Sequence, residues 1–273
     1  MDKSTWLGIV VAAGGILAGM MIEGGKIAQV LQPTAAMIVF GGTLGAVMLQ
    51  FPMPTVLDGF RHLPHAFFEP KLGPRALIDQ IVAFANKARK QGIVSLDADL
   101  GEVHDPFLKK ALTLAVDGTE SQELRRMMEL EMDNQAERDE KVPQFFEAAG
   151  GYAPTVGILG AVIGLIQVMQ HLSDINEVGR GIAVAFVATI YGVASANLFF
   201  LPVAGKLKQQ LRESHVMREM MLEGVASILD GMNPRMLETK LLGFVAPRAK
   251  AGQPQPAEDA EAQPNATLAE AEP

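Results

Sequence analysis

Hydrophobic and polar positions divide the chain into alternating blocks. Apolar, glycine-rich runs occupy Trp6 to Ile22, Pro33 to Phe51, Tyr152 to Gln170 and Gly181 to Val203. Each is close to the ~20 residues that an α-helix needs to cross a bilayer. Elsewhere apolar residues recur at helical spacing among charges, the mark of amphipathic helices in water. The pattern predicts an all-α, polytopic membrane protein with four transmembrane helices. Two spans fall at about 5–22 and 33–51, a helical insert at 52–147, two further spans within 148–203, and an amphipathic helix at 204–246.

Local signals mark the element ends. Pro33 opens the second span, and Pro52 and Pro54 close it. In the insert, Pro74 starts a helix with Leu77, Ile78, Ile81, Val82, Ala85 and Ala88 on its apolar face, and Gly92 stops it. Asp105-Pro106 is an N-cap followed by proline at the first helical position, and that helix ends at Gly118. Thr119 to Gln122 has capping-box spacing and opens a long charged helix toward Pro143. Phe145 and Phe146 then lead into the third span. The last helix has its apolar side at Leu207, Leu211, Val216, Met220, Leu222, Val225 and Ile228. The tail from about Pro247 is rich in Ala, Gln, Pro and Glu, and cannot bury enough surface to order itself.

The third and fourth runs, joined by the polar stretch His171 to Arg180, predict a transmembrane hairpin. Gly157, Gly160, Ala161, Gly164, Gly181, Ala185, Ala188, Gly192 and Ala196 give it small faces at helical spacing. Such faces let helix backbones approach closely in lipid, either within one chain or around a partner. Pro154 cannot donate to the carbonyl of Gly150, and a freed carbonyl at membrane depth needs protein or water. Thr155, Gln167, Thr189, Ser195 and Asn197 can bond across helices or line a wet path. Neither run contains Asp, Glu, Lys, Arg or His. Proton relays need an ionisable group in the membrane, so a proton-conducting assembly would draw its carboxylate from another chain.

Composition and charge narrow the function. The 273 residues are 49% apolar and include no cysteine, which excludes a disulfide framework and thiolate metal sites. A net charge of −8 argues against nucleic-acid binding. No Walker-type glycine loop and no HExxH occurs, and His62, His65, His104, His171 and His215 are scattered. The chain therefore does not read as an enzyme, and no cofactor is expected. Trp6 to Ile22 reads as a retained helix rather than a secretory signal: the apolar run is long, Asp2 accompanies Lys3, and no A-x-A site follows. Gly15 and Gly19 form a GxxxG face, and Glu23 sits at the membrane surface. Arg61, Lys71, Lys206, Lys208, Arg212 and Arg218 outnumber Lys26 and Arg180 on the other side. The positive-inside rule places the insert, the tail and both termini in the cytoplasm.

From Trp6 to about Val245 the sequence resembles the MotA/PomA stator subunits of the bacterial flagellar motor, and more distantly the ExbB/TolQ energisers. The motifs are Glu23-Gly24-Gly25, PTAAMIVFGGTLGA from Pro33, YAPTVGILGAVIGLI from Tyr152 and AFVATIYGVASANLFFLPVAGKL from Ala185. Two spans precede the insert, whereas ExbB and TolQ have one. The resemblance implies a multi-pass inner-membrane protein in which five such chains, among membrane lipid, surround two copies of a MotB-like partner. That partner has one span, binds peptidoglycan and carries the ion-accepting Asp. Ion flow would turn the ring, and its insert would push the rotor switch protein FliG.

By the same resemblance, Pro154 matches the proline at the channel entrance, Thr189 the threonine facing the ion path, and Pro202 the proline at the cytoplasmic end of the fourth span. Arg89 matches the arginine that contacts the rotor. Asp97 stands where the family usually has Glu, with the charge kept and the reach one methylene shorter. Sodium-driven members have a threonine at the position of Ala161. Sodium needs oxygen ligands in place of its water, and Ala161 offers none, so the translocated ion is expected to be H⁺. Two competing readings remain at this point. One is an ExbB/TolQ-like energiser of another envelope process. The other is a passive scaffold, for which Thr189→Val would be silent.

Overall fold

The computed structural model describes residues 3–64 and 73–245. His65, Lys71 and the tail from Pro247 lie outside them. Among the described residues every regular element is helical. α1 (Lys3–Ile22) is followed by a turn with Gly24 at φ +81°, then by the short α2 (Ile27–Val30). α3 (Pro33–Ala36) runs through a π-helical segment, Met37–Gly41, into α4 (Gly42–Gln50). Together they make one apolar helix, Pro33–Gln50, that starts at the expected proline. Phe51 is extended, and Pro52 turns the chain into α5 (Met53–His62).

In the insert, α6 (Pro74–Gln91) ends where expected, at Gly92, whose φ of +83° suits glycine. A 3₁₀ segment, Ile93–Asp99, leads toward α7 (Pro106–Val116). The Asp105 carboxylate caps α7, accepting from the amides of Phe107 at 2.9 Å and Leu108 at 3.0 Å. Gly118 closes the following turn at φ +86°.

The capping box at Thr119 does not form. α8 (Ser121–Gln170) takes Glu120 as its N-cap, without a side-chain bond. The helix also does not stop toward Pro143. It runs 50 residues through both Pro143 and Pro154, a length of about 75 Å. After the hairpin turn, Asp174 caps α9 (Ile175–Ser195) by accepting from the Asn176 amide, so the second half of the expected polar turn is helix. α9 passes through a second π segment, Ala196–Phe200, into α10 (Leu201–Leu229) without a break. α11 (Pro234–Leu242) closes the described chain.

Packing explains this continuity better than local propensity. Val142, Phe145, Phe146 and Ala149 of α8 bury against Val203, Ala204 and Leu207 of α10, with Val47 and Val56 beside them. That burial keeps both long helices continuous through the junction, where a proline costs one bond and packing supplies many contacts. Beyond the junction, α6, α7, α11 and the outer parts of α8 and α10 enclose a core that includes Ile78, Ile81, Leu108, Leu112, Met128, Met220 and Leu241. On the other side, three helices among the described residues are long and apolar enough to cross a membrane: Pro33–Gln50, Ser121–Gln170 and Ile175–Leu229. The apolar stretch Trp6–Ile22 is shorter, and none of its residues is buried.

Candidate functional site: the α8–α9 hairpin

The hairpin closes through its small residues. Ala153, Gly157, Gly160, Gly164 and Val168 form a buried stripe on α8, spaced three or four apart. A methyl group added to Gly157 would lie 2.9 Å from the Ala188 carbonyl oxygen, and one on Gly164 would lie 2.8 Å from that of Gly181. On Gly192 it would lie 2.5 Å from the Ala153 carbonyl oxygen and 3.2 Å from the Pro154 Cα. Most of the glycine pattern therefore serves close approach within one chain.

The second span covers one side of this hairpin. Val156 fills the space over Gly42, Ile38 reaches Gly160, and Phe40 stacks on Tyr191 with ring centroids 6.0 Å apart. Ala35 and Val39 pack with Val184, Val187 and Ala188. At 100° per residue, Pro154 and Ala161 on α8 and Thr189 on α9 fall on the opposite side. All three are partly exposed. The Gly157–Ala188 and Gly164–Gly181 approaches set Thr189 between Pro154 and Ala161 in height. Three of the sequence-derived channel residues thus share one open edge.

The other two lie elsewhere. Thr155 is one residue, and so one further 100° step, round from Pro154. It is exposed, donates to the Tyr152 carbonyl at 2.8 Å, and lines a shallow groove with Gln50, Gln144 and Glu147. Pro202 is exposed in the first turn of α10. It cannot donate to the Leu198 carbonyl, and the helix is widened to π geometry immediately before it. Polar side chains nearby turn back on their own helix. Thr189 Oγ1 donates to the Ala185 carbonyl at 3.2 Å, Ser195 Oγ to that of Gly192 at 3.2 Å, and Asn197 Nδ2 to that of Val193 at 2.9 Å. The Thr189 oxygen keeps its acceptor capacity. The edge can hydrogen-bond water or a neighbouring helix, but holds no group that takes up a proton near neutral pH.

Far from the hairpin, Arg89 in the last turn of α6 and Asp97 in the 3₁₀ segment are both exposed. A Lys87–Asp99 ion pair of 2.7 Å ties the helix to that segment. In the same polar half, Glu223 of α10 takes a two-pronged bond from Arg125 of α8, at 2.6 and 3.2 Å, and a second partner in Lys240 of α11. The Arg125 hydrogen bonds, with help from Lys240, hold the Glu223 carboxyl down at about 2.

Sequence reasoning passed over Tyr191, whose hydroxyl donates to the Val30 carbonyl and accepts from the Gln32 amide at 3.3 Å. The available signal was its being the lone phenol in an otherwise apolar run. It also passed over the burial of Thr43, a hydroxyl with no partner.

Comparison with known proteins matches this architecture. The Motility protein A N-terminal family model covers residues 6–92, and the MotA/TolQ/ExbB proton channel family model covers residues 100–220. Motility protein A of Bacillus subtilis is 37% identical over 252 residues, which is 90% of this chain and 91% of that protein. Chemotaxis protein PomA of Vibrio alginolyticus is 30% identical over 90% of this chain and 96% of its own length. The structure of C. jejuni MotAB superposes with a TM-score of 0.85 at 31% identity, over 89% of this chain and 96% of that one. The flagellar MotAB stator complex from Bacillus subtilis gives 0.82 at 36% identity, with the same coverage. A match of this extent, with the helix order and hairpin just described, identifies the chain as a member of the MotA/PomA family of flagellar motor stator subunits.

Proposed function

We propose that this stator subunit forms, with a MotB-like single-span partner anchored to peptidoglycan, a proton channel that converts ion-motive force into torque. α1 is the fourth membrane span. The insert and both termini lie in the cytoplasm, where Arg89 and Asp97 meet the rotor protein FliG. Five copies surround the partner, each offering it the open hairpin edge.

The edge bearing Pro154, Ala161 and Thr189 carries this reading. It is the side of the hairpin left open by the second span, and it has hydroxyl chemistry without an ionisable group. A partner carboxylate placed against it would gain a hydrogen-bonding neighbour in Thr189 and would meet no competing charge. α1 supports the assembly, because a stretch with no buried residue from Trp6 to Ile22 and an open Gly15–Gly19 face has surface left for neighbouring helices. Proton rather than sodium follows from Ala161, which gives a metal cation no oxygen.

The test expresses the chain with its MotB-like partner in a host that builds flagella but lacks stators. Swimming in sodium-free buffer that stops on adding a protonophore is the expected result. Thr189→Val should abolish or sharply slow swimming while the complex still assembles. Swimming only with added sodium would sink the Ala161 argument. An assembled complex that leaks no protons would sink the channel itself.

A further inference from the structure

The chain has two tyrosines, both in the hairpin, and each reaches the second span. The Tyr152 hydroxyl donates to Gln50 Oε1 at 3.0 Å, at the end of α4. Tyr191 reaches the other end, in the turn before Pro33. That turn is irregular: Leu31 has φ −90° and ψ 89°, and Gln32 is extended at φ −118° and ψ 101°. In apolar surroundings an irregular backbone must have its polar groups satisfied from within the protein. One phenol does so for both the Val30 carbonyl and the Gln32 amide, while its ring stacks on Phe40 with 30° between the planes.

We propose that Tyr191 is the rotational key of α9, a positioning residue that turns Thr189 toward the open edge. Tyr191 and Thr189 are two residues apart, or 200° round the helix. Whatever draws Tyr191 to the second span therefore turns Thr189 away from it. The hairpin seam limits rotation by close backbone approach at Gly181 and Gly192, and Tyr191 adds direction to that limit. Val184 and Val187, buried on the second-span side, are apolar and lack direction. Hydrogen bonds have direction, and Tyr191 makes two. The consequence for ion flow rests on Thr189 lining the ion path; the rotational claim does not.

The chain has no cysteine, so one introduced thiol reports its own position. Thr189→Cys and Ile190→Cys are made singly, assembled in membranes with a cysteine-free MotB-like partner, and treated with a small cationic methanethiosulfonate reagent. The ratio of the two rates, position 189 over 190, is the readout. Tyr191→Phe keeps the ring but removes both bonds, and should lower the ratio at least about fivefold, the factor carried by one typical hydrogen bond. Phe40→Leu leaves the hydroxyl and should lower it less. It also carries the test alone if Tyr191→Phe fails to assemble. Both rates are taken on assembled complex isolated after labelling, so a general loss of folded complex lowers the amount labelled and leaves the ratio in place. A ratio unchanged by the variants that assemble overturns the proposal, whatever happens to swimming. Proton conduction by Tyr191→Phe without thiols is measured separately. A fallen ratio with full conduction would leave the rotational key standing and remove Thr189 from the ion path.

Discussion

The two halves of this molecule are packed by opposite means. In the polar half the core is built from large side chains: Ile78, Ile81, Leu96, Leu108, Leu112, Leu124, Met128, Met220, Leu237 and Leu241 are all fully buried. In the apolar half the largest comparably buried side chain is Val39, and the seam is glycine and alanine. The solvent accounts for the difference. In water, removing a leucine from solvent stabilises the fold by roughly 1.5–3 kcal/mol. In lipid the same side chain gains nothing by leaving the tails, so helices associate through close backbone approach. The long helices α8 and α10 pass from one regime to the other within a single element.

The sharpest way to break this comparison is to put bulk into the seam. Gly192→Val would drive a branched side chain into the backbone of Ala153 and Gly157. Because backbone rather than a flexible side chain stands in the way, the cost should exceed the ~3 kcal/mol of ordinary overpacking. The expected result is no swimming and little folded chain in membranes, read by stator-complementation motility and by detergent-resistant yield. Gly205→Ala, where the added methyl meets nothing within 4 Å, should be silent or slightly stabilising in both assays.

The converse change empties the polar core. Leu108→Ala removes a fully buried side chain and should lower stability by about 3 kcal/mol, within the usual range for such cavities. Thermal unfolding of the purified full-length complex measures it. Swimming should persist at low temperature and fail early on warming. If Leu108→Ala were tolerated and Gly192→Val were not, the polar half would lose its side of the contrast between the halves. If both were tolerated, it would collapse.

The polar half was also the more legible one. Pro74, Gly92, Asp105-Pro106 and Gly118 are strong local punctuation, and the helix ends fall where they stand. The Thr119 capping box looked equally good, yet the helix begins at Ser121. Pro143 reads as the end of a helix but lies, like Pro154, inside a continuous one, because packing at Phe145, Phe146 and Val203 outweighs its missing donor. For the same reason the fourth span and the helix after it are one element. In the hairpin, the resemblance to the stator family singled out Pro154, Ala161 and Thr189, and helical spacing gave only the small-residue faces. Only the position of the second span shows that they share an edge and that Thr155 is turned away from it. For Tyr191 the lone phenol was a signal, but its role was not legible, because its partners are backbone groups far away in sequence.

Between these extremes lies the Arg125–Glu223–Lys240 cluster, where the polar half uses charge to tie three helices. Glu223 has a folded-state value of about 2 against an ordinary 4.5, so its carboxylate is favoured in the folded chain. A depressed carboxyl contributes stability above its unfolded value and loses it as pH falls toward the folded one. The contribution, on the order of 3 kcal/mol, should therefore be complete at pH 7 and fade between about 4.5 and 2. Glu223→Gln should unfold at lower temperature than the parent at pH 7, and the gap should close through that acid window. A gap that stayed constant with pH would assign the effect to packing instead of charge.

The smallest expected effect sharpens the comparison from inside the apolar half. Thr43 is 2% exposed, and its hydroxyl has no hydrogen-bond partner. It lies just beyond the π segment of the second span, one helical turn from the buried Val39 and Val47. A buried hydroxyl left unpaired costs stability, and an apolar group of the same shape relieves that cost. Thr43→Val should therefore stabilise the complex by about 1 kcal/mol, visible as a small rise in unfolding temperature, with swimming unchanged. Packing by shape alone predicts that result for a seam without polar work to do. A fall in unfolding temperature, or slower swimming at an unchanged level of assembled complex, would mean that the hydroxyl finds its partner in the assembly. The apolar half would then be held, at this one point, by a polar bond between chains.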